Sequence, residues 1–300
     1  MQIDTLAAID IGSNAIRLLI NNVECESTEP SFKKDAFLRV PVRLGEDVFT
    51  KGKIGSKKKT QLFDAMNGFK HIMQAYNVTK YRACATSAMR DAENGKEIIQ
   101  QIKKETGIHV EIINGQEEAN ILFEAGGLEQ LLSEDKNYLY VDVGGGSTEL
   151  VLFYKQQKRL SLSFQIGTVR MLANAVKNNE LIYFEQCLDE IYQKYSPVAI
   201  IGSGGNINKV HKMLGKRKNE IIKPLELEIL HQTLSKMSYE ERIKNYNLNT
   251  YRADVIIPAL EIFRIVCQRC KVKEILVPKI GIVDGIIHQL SKKMFGADNM

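Results

Sequence analysis

Two short segments carry the residue types that phosphate chemistry requires. The first, Asp142-Val143-Gly144-Gly145-Gly146-Ser147-Thr148-Glu149, sets three glycines and two hydroxyls between two carboxylates. Glycine lets backbone N–H groups approach an anion closely, and an aspartate at a strand end can hold a cation that neutralises bound phosphate. The second, Asp10-Ile11-Gly12-Ser13-Asn14, offers the same chemistry. A Gly-rich hairpin turn without function is the other reading of either segment alone. Two such turns at matching places point instead to loops opposed across a cleft. Neither fits GxxxxGK[ST], and no GxGxxG follows a strand with an acidic partner beyond it, so ordinary P-loop and dinucleotide sites are set aside.

The elements that must position these loops are duplicated. LAAIDIGSNAIRLLIN begins at Leu6 and LYVDVGGGSTELVLF at Leu139; a shift of 132 positions superposes Asp10 on Asp142, Gly12 on Gly144 and Leu18 on Leu150. Each copy reads as strand, Gly-containing turn, strand, because short Ile/Val/Leu runs flank residues that tolerate positive φ. Beyond the first copy, a strand is expected over 37–44, a helix opened by Lys57–59, a strand over 81–85, a helix over 93–105, a strand over 109–113 and a helix over 117–132. The second half repeats the alternation through strands near 138–142, 148–154, 160–164 and 198–201. It then turns mostly helical, with Pro258 expected to kink 251–270, before a last strand at 274–277 and a helix at 282–294. Strands alternating with helices define an α/β protein. The repeat places domains at 1–116 and 117–280, with 281–300 a terminal helix expected to pack back on the first.

Composition excludes several classes. The chain has 300 residues, 44% hydrophobic and 26% charged, which is ordinary for a folded protein and long enough for two domains. Forty-one Lys and Arg against thirty-six Asp and Glu give a formal charge of +5, a mild surplus that suits a polyanionic ligand without implying nucleic acid. Acidic residues stand near the start where a signal peptide carries basic ones, and no apolar run reaches membrane-spanning length; a cytoplasmic protein is expected. The five cysteines do not form a secreted disulfide pattern, and the CxxC of Cys267 and Cys270 lacks a second pair or a matching His. The basic stretch Lys209, Lys212, Lys216, Arg217 and Lys218 reads equally as a guide for an anionic chain or as a solvated helix end.

Paired strand–Asp-x-Gly–strand loops followed by a Gly-Gly loop that opens a helix, here 202–206, resemble the actin-like, heat-shock and sugar-kinase ATPase superfamily. Within it, IDIGSNAIRLLI, ATSAMRDAEN, INGQEEA, VDVGGGSTELV, SFQIGTVRM and RADVIIPALEIF resemble, in order, the motifs of the exopolyphosphatase and guanosine pentaphosphate phosphohydrolase family. The resemblance implies two actin-like (ribonuclease H-like) domains with mixed central sheets and an interdomain cleft, homodimeric as in relatives. It also implies an exopolyphosphatase-type phosphoanhydride hydrolase, acting on inorganic polyphosphate first and guanosine pentaphosphate second.

Residue by residue, the family's Gly-x-Glu-Glu-Ala motif falls on 115–119 and implies Glu118 as the catalytic base, with Glu117 second. Taken alone, the two are helix-start acids favourable to the helix dipole. The resemblance makes Asp142 the metal-anchoring aspartate, Glu149 its companion and Asp10 the equivalent in the other loop. An oxygen-only set without Cys or His suits magnesium, with manganese the alternative. Phosphate contacts are expected from Gly12, Ser13, Asn14, Arg17, Arg90, Gly144, Gly145, Gly146 and Ser147, since phosphoryl transfer depends on charge neutralisation. Arg90 reads alternatively as a partner of Asp91 or Glu93.

The chain departs from the family at Val283, where an arginine is usual and one phosphate contact is expected to be lost, and at Asn206 and Ala15. The extra C-terminal helical domain of long members is expected to be absent, which puts processivity in doubt. Two other readings stay open: an ATP-dependent kinase or ATPase, for which 202–205 is the adenosine-side loop, and a polyphosphate or alarmone sensor with weak catalysis.

Overall fold

A computed structural model describes residues 2–25, 30–125 and 131–295. The chain divides into two compact units, Met1–Gly126 with Gly281–Met300, and Gly127–Ile280. The first contains β1 (Gln2–Ile11), β2 (Ile16–Cys25), β3 (Ser31–Val40), α1 (Leu44–Lys51), α2 (Ser56–Ala75), β4 (Lys80–Ala85), α3 (Ser87–Asp91), α4 (Gly95–Thr106), β5 (Val110–Ile112) and α5 (Gly115–Phe123). The second contains β6 (Tyr138–Val143), β7 (Thr148–Tyr154), β8 (Gln157–Phe164), α6 (Thr168–Leu172), α7 (Asn178–Tyr195), β9 (Ala199–Ser203), α8 (Gly205–Met213), α9 (Pro224–Ser235), α10 (Tyr239–Tyr246), α11 (Thr250–Ala253), α12 (Ile256–Arg269) and β10 (Glu274–Leu276). The terminal helix α13 (Ile282–Phe295) belongs to the first unit.

Both sheets have the same topology. The first runs β3-β2-β1-β4-β5 and the second, read in the same sense, β8-β7-β6-β9-β10, each an antiparallel meander extended by two parallel strands. The duplication seen in the two Asp-x-Gly loops is therefore a duplication of the whole sheet. Residues 6–11 of β1 are buried without interruption, as a central strand covered on both faces must be. Ala7, Ile9 and Ile11 join Leu62, Met66 and Phe69 of α2 in one core, while α13 packs against β1 and β2. In the second unit Leu139, Val141, Leu150 and Leu152 pack with Phe184, Phe263 and Val266. Each such buried side chain contributes about 1.5–3 kcal/mol over an exposed one.

Five expectations are corrected. The strand expected over 37–44 ends at Val40, because Pro41 has no N–H for the ladder, and α1 follows. The helix expected over 93–105 is preceded by the separate turn α3 and starts at Gly95. The helix expected over 117–132 closes at Phe123; residues 126–130 lie outside the described set. The segment 251–270, expected as one helix kinked at Pro258, is two helices, α11 and α12, divided at residues 254–255; Pro258 sits in the first turn of the second, where its missing N–H has no helical partner to lose. The division between units falls after Gly126 and not after residue 116, because α5 packs on α13.

Among the described residues no helix is long and apolar enough to cross a membrane. Cys84, Cys267 and Cys270 are buried, and burial pushes each thiol up to about 12. At pH 8 a thiol of that pKa is about one part in ten thousand thiolate, so maleimide or iodoacetamide should label these cysteines only after denaturation. Peptide mass spectrometry checks this; ready native labelling of Cys267 or Cys270 would show the CxxC to be accessible.

Candidate active site

In the first unit the parallel strands end in step. Ile11 lies opposite Ala85, and Ala85 opposite Ile112, with Thr86 N–H donating to Ile11 O (3.1 Å) and Ile113 N–H to Ala85 O (3.0 Å). The loop of residues 12–15, the helix bearing Arg90 and the helix bearing Glu118 therefore all leave one edge of the sheet, the carboxyl edge where α/β proteins place ligands. In the second unit Asp142 lies opposite Ser203 and Ile201 opposite Leu276, so residues 144–147 and 204–206 leave the equivalent edge.

The two loops share one internal bond: Gly12 N–H donates to Ala15 O (3.1 Å) and Gly144 N–H to Ser147 O (3.0 Å). Each is tied back through its carbonyls. Ser13 O accepts from Gly45 N–H (2.8 Å) and Asn14 O from Arg43 N–H (3.1 Å) at the start of α1. Gly144 O accepts from Thr168 N–H, Gly145 O from Val169 and Arg170 N–H, and Gly146 O from the buried Arg170 Nε (2.8 Å). In a trans peptide the N–H points opposite to the C=O. Anchoring these carbonyls on α1 and α6 thus turns the N–H groups of Asn14, Ala15, Gly145, Gly146 and Ser147 the other way, as an anion-binding nest requires. Ser13 Oγ also bonds Ser87 Oγ (2.8 Å), coupling the first loop to α3.

The anchoring needs a glycine at 167. A Cβ there would sit 2.5 Å from Gly146 N and C, with no flexible atom to yield. Gly167→Ala should displace the loop and raise KM for a phosphate substrate about tenfold with kcat less affected, a loss near 1.4 kcal/mol of ground-state binding. Steady-state kinetics checks it, and an unchanged KM contradicts the bracing role.

The same register carries opposite charge in the two loops. Asp10 lies directly opposite Arg17 in the β1–β2 pair, and Asp142 directly opposite Glu149 in β6–β7. The carboxylate of Asp10 is ion-paired with Arg17; burial pushes its pKa up and Arg17 opposes that shift. Asp10, expected beside a metal, is thus placed against a guanidinium, in a loop whose charge is balanced. The second loop instead holds two neighbouring carboxylates. Glu149 is wholly buried and accepts from Ser163 Oγ (3.0 Å), while Asp142 is half-buried at the strand end. This hard, oxygen-only pair fits a magnesium-type ion, which takes one or two carboxylates and completes its shell with water and phosphate oxygens. Among the described residues no group of three His, Cys, Asp or Glu gathers as a closed metal cage.

The two acids of α5 part company. Asn114 caps the helix, its side chain accepting from Glu117 N–H (2.8 Å), and both acids sit in the first turn where the dipole favours them. Glu117 is 42% exposed and pairs with Arg82 (2.6 Å), whereas Glu118 is only 8% exposed. The reading of solvated helix-start acids describes Glu117 and fails for Glu118. Arg90 Nη1 donates to Ile113 O (2.8 Å), just ahead of α5, and its Nε lies 3.8 Å from Asp91. Sequence reading assigned no role to Gly167 or Arg170, although both lie in SFQIGTVRM. It also missed Arg252, whose Nη1 donates to Gly205 O (2.8 Å) in the third loop. Glycine directly after a strand and before a helix was the available signal. Val283 is buried in α13.

Two sheets of identical strand order, each with an Asp-x-Gly turn at its first hairpin, define a duplicated α/β protein with mixed central sheets. The profile of the Ppx/GppA phosphatase family matches residues 36–294, and the chain belongs to that family. Among solved structures it is similar to an exopolyphosphatase from Cytophaga hutchinsonii (TM-score 0.83, 23% identity, covering 97% of this chain and 98% of that one). It is also similar to the Aquifex aeolicus Ppx/GppA family member (TM-score 0.77, 24% identity, 98% and 99% covered). Among curated proteins it is 28% identical over 166 residues to exopolyphosphatase 1 of Mycobacterium tuberculosis, covering 55% of this chain and 47% of that protein. A bifunctional 3-dehydroquinate synthase/phosphatase of Fusobacterium nucleatum is 34% identical over 185 residues, 60% of this chain and 28% of that protein. The matched regions span half or less of the length of these curated relatives.

Proposed function

We propose that the chain is a metal-dependent phosphohydrolase that releases the terminal phosphate of inorganic polyphosphate, with guanosine pentaphosphate as a second substrate. The observation that carries this reading is the contrast between the duplicated loops, Asp–Arg in one and Asp–Glu in the other, with a buried glutamate on the helix leaving the first sheet. Together with the exopolyphosphatases among its relatives, that contrast suits a polyanion bound with a divalent cation.

In this reading the amides of both loops, Arg17 and Arg90 bind phosphate oxygens. Glu118 accepts a proton from water as the oxygen attacks the terminal phosphorus. The bond to the bridging oxygen breaks, orthophosphate leaves, and the shortened chain keeps the bridging oxygen as its new terminus. Asp142 with Glu149 would hold magnesium or manganese, which would supply neutralising charge to phosphate oxygens when bound. Asp10 keeps Arg17 oriented.

The test is phosphate release with magnesium, offering long polyphosphate, short polyphosphate, guanosine pentaphosphate and ATP in parallel. Release from a polyphosphate, abolished by chelation and restored by magnesium, is expected, and Asp142→Asn should raise the magnesium requirement about tenfold or more. Turnover of ATP alone would favour the kinase or ATPase, and tight binding without release the sensor.

A further inference from the structure

We propose that Arg82 is a positioning residue for the reaction, acting through Glu117 to fix the rotation of the helix that presents Glu118; this rests on the reading of Glu118 as the base. Arg82 lies on β4, away from the loops, yet its guanidinium joins elements distant in sequence. Nη2 donates to Glu117 Oε1 of α5 (2.6 Å) and to Glu111 Oε2 of β5 (2.8 Å), Nε to the same Glu111 oxygen (3.2 Å), and Nη1 to Gln289 Oε1 of α13 (2.5 Å).

The helix so held needs holding. At nine residues α5 is too short to be stable through its own hydrogen bonds. Glu117 and Glu118 are consecutive, so their side chains leave the helix about 100° apart. Fixing Glu117 on Arg82 therefore fixes the direction of Glu118. A side chain that must take a proton within hydrogen-bond reach is sensitive to such rotation, since a misplacement of about 1 Å can cost about a hundredfold in rate. The planar fork suits this task better than a lysine, because it meets several acceptors in one fixed geometry. The network borders an open cavity of about 610 Å³ lined by Tyr81, Arg82, Glu111, Glu117, Gln289 and Lys292 among others. Its carboxylates are more than two-fifths exposed, so each pair adds little to stability. Orientation is then the property that the network supplies.

The experiment compares Arg82→Ala, Arg82→Lys, Glu117→Ala and Glu117→Gln in polyphosphate hydrolysis, with melting temperature measured alongside. Arg82→Ala and Glu117→Ala should each lower kcat about tenfold with KM within about twofold. Glu117→Gln, which keeps an acceptor for Nη2, should restore most of what Glu117→Ala loses, and Arg82→Lys should fall between. In a Glu118→Gln background Arg82→Ala should cause no further loss. Glu117→Ala covers the case in which Arg82→Ala does not fold. Unchanged kcat in both alanine variants, beside an inactive Glu118→Gln, overturns the positioning role and leaves the base in place. Full turnover by Glu118→Gln overturns both.

Discussion

Glu118→Gln is expected to lower kcat for polyphosphate hydrolysis about a thousandfold, within the range of a lost general base, with KM changed little. The substitution is nearly isosteric and removes only the capacity to accept a proton. Glu118 is 8% exposed in the first turn of α5 and the amide keeps its size and shape, so the melting temperature should change little. Loss of turnover without loss of stability separates a chemical role from a structural one. Glu118→Asp, which retracts the carboxylate by one methylene, should fall between them.

Gly285→Ala is expected to destabilise the first unit by about 3 kcal/mol, lowering its melting temperature by roughly 10 °C. A Cβ at 285 would lie 2.0 Å from Ile121 O and 2.8 Å from Ile121 C and Cγ2, so α13 and α5 must separate. Backbone cannot turn aside as a flexible side chain does. Because α5 carries Glu118, kcat should fall as well, about tenfold even at temperatures where the protein remains folded. Thermal unfolding and kinetics at 20 °C check both parts; a stable, fully active Gly285→Ala would show that the helices can part without consequence.

Much of this was legible in the sequence. Loop chemistry appeared twice at a fixed shift, and periodic apolar residues located most helices and strands. The shift of 132 also superposes Arg17 on Glu149, the exchange that separates the electrostatics of the two loops, but its meaning emerges only from the direct pairing of Asp10 with Arg17 and Asp142 with Glu149. The strand expected over 37–44 overran Pro41, a stop written in the chain. The bracing of residues 144–147 by Gly167 and Arg170 was hidden, because nothing local says that α6 meets the β6–β7 turn. The division of labour between Glu117 and Glu118 was likewise invisible: both suit a first helical turn, and only Arg82, 35 positions earlier, tells them apart.

Hydrolysis of polyphosphate of defined length in ¹⁸O-labelled water, with phosphate and shortened chains separated by mass, tests the central claim most directly. Attack on the terminal phosphorus by water predicts one ¹⁸O in each released orthophosphate and none in the chain, which shortens from its end. Label in the shortened chain, or products cut internally, would contradict it.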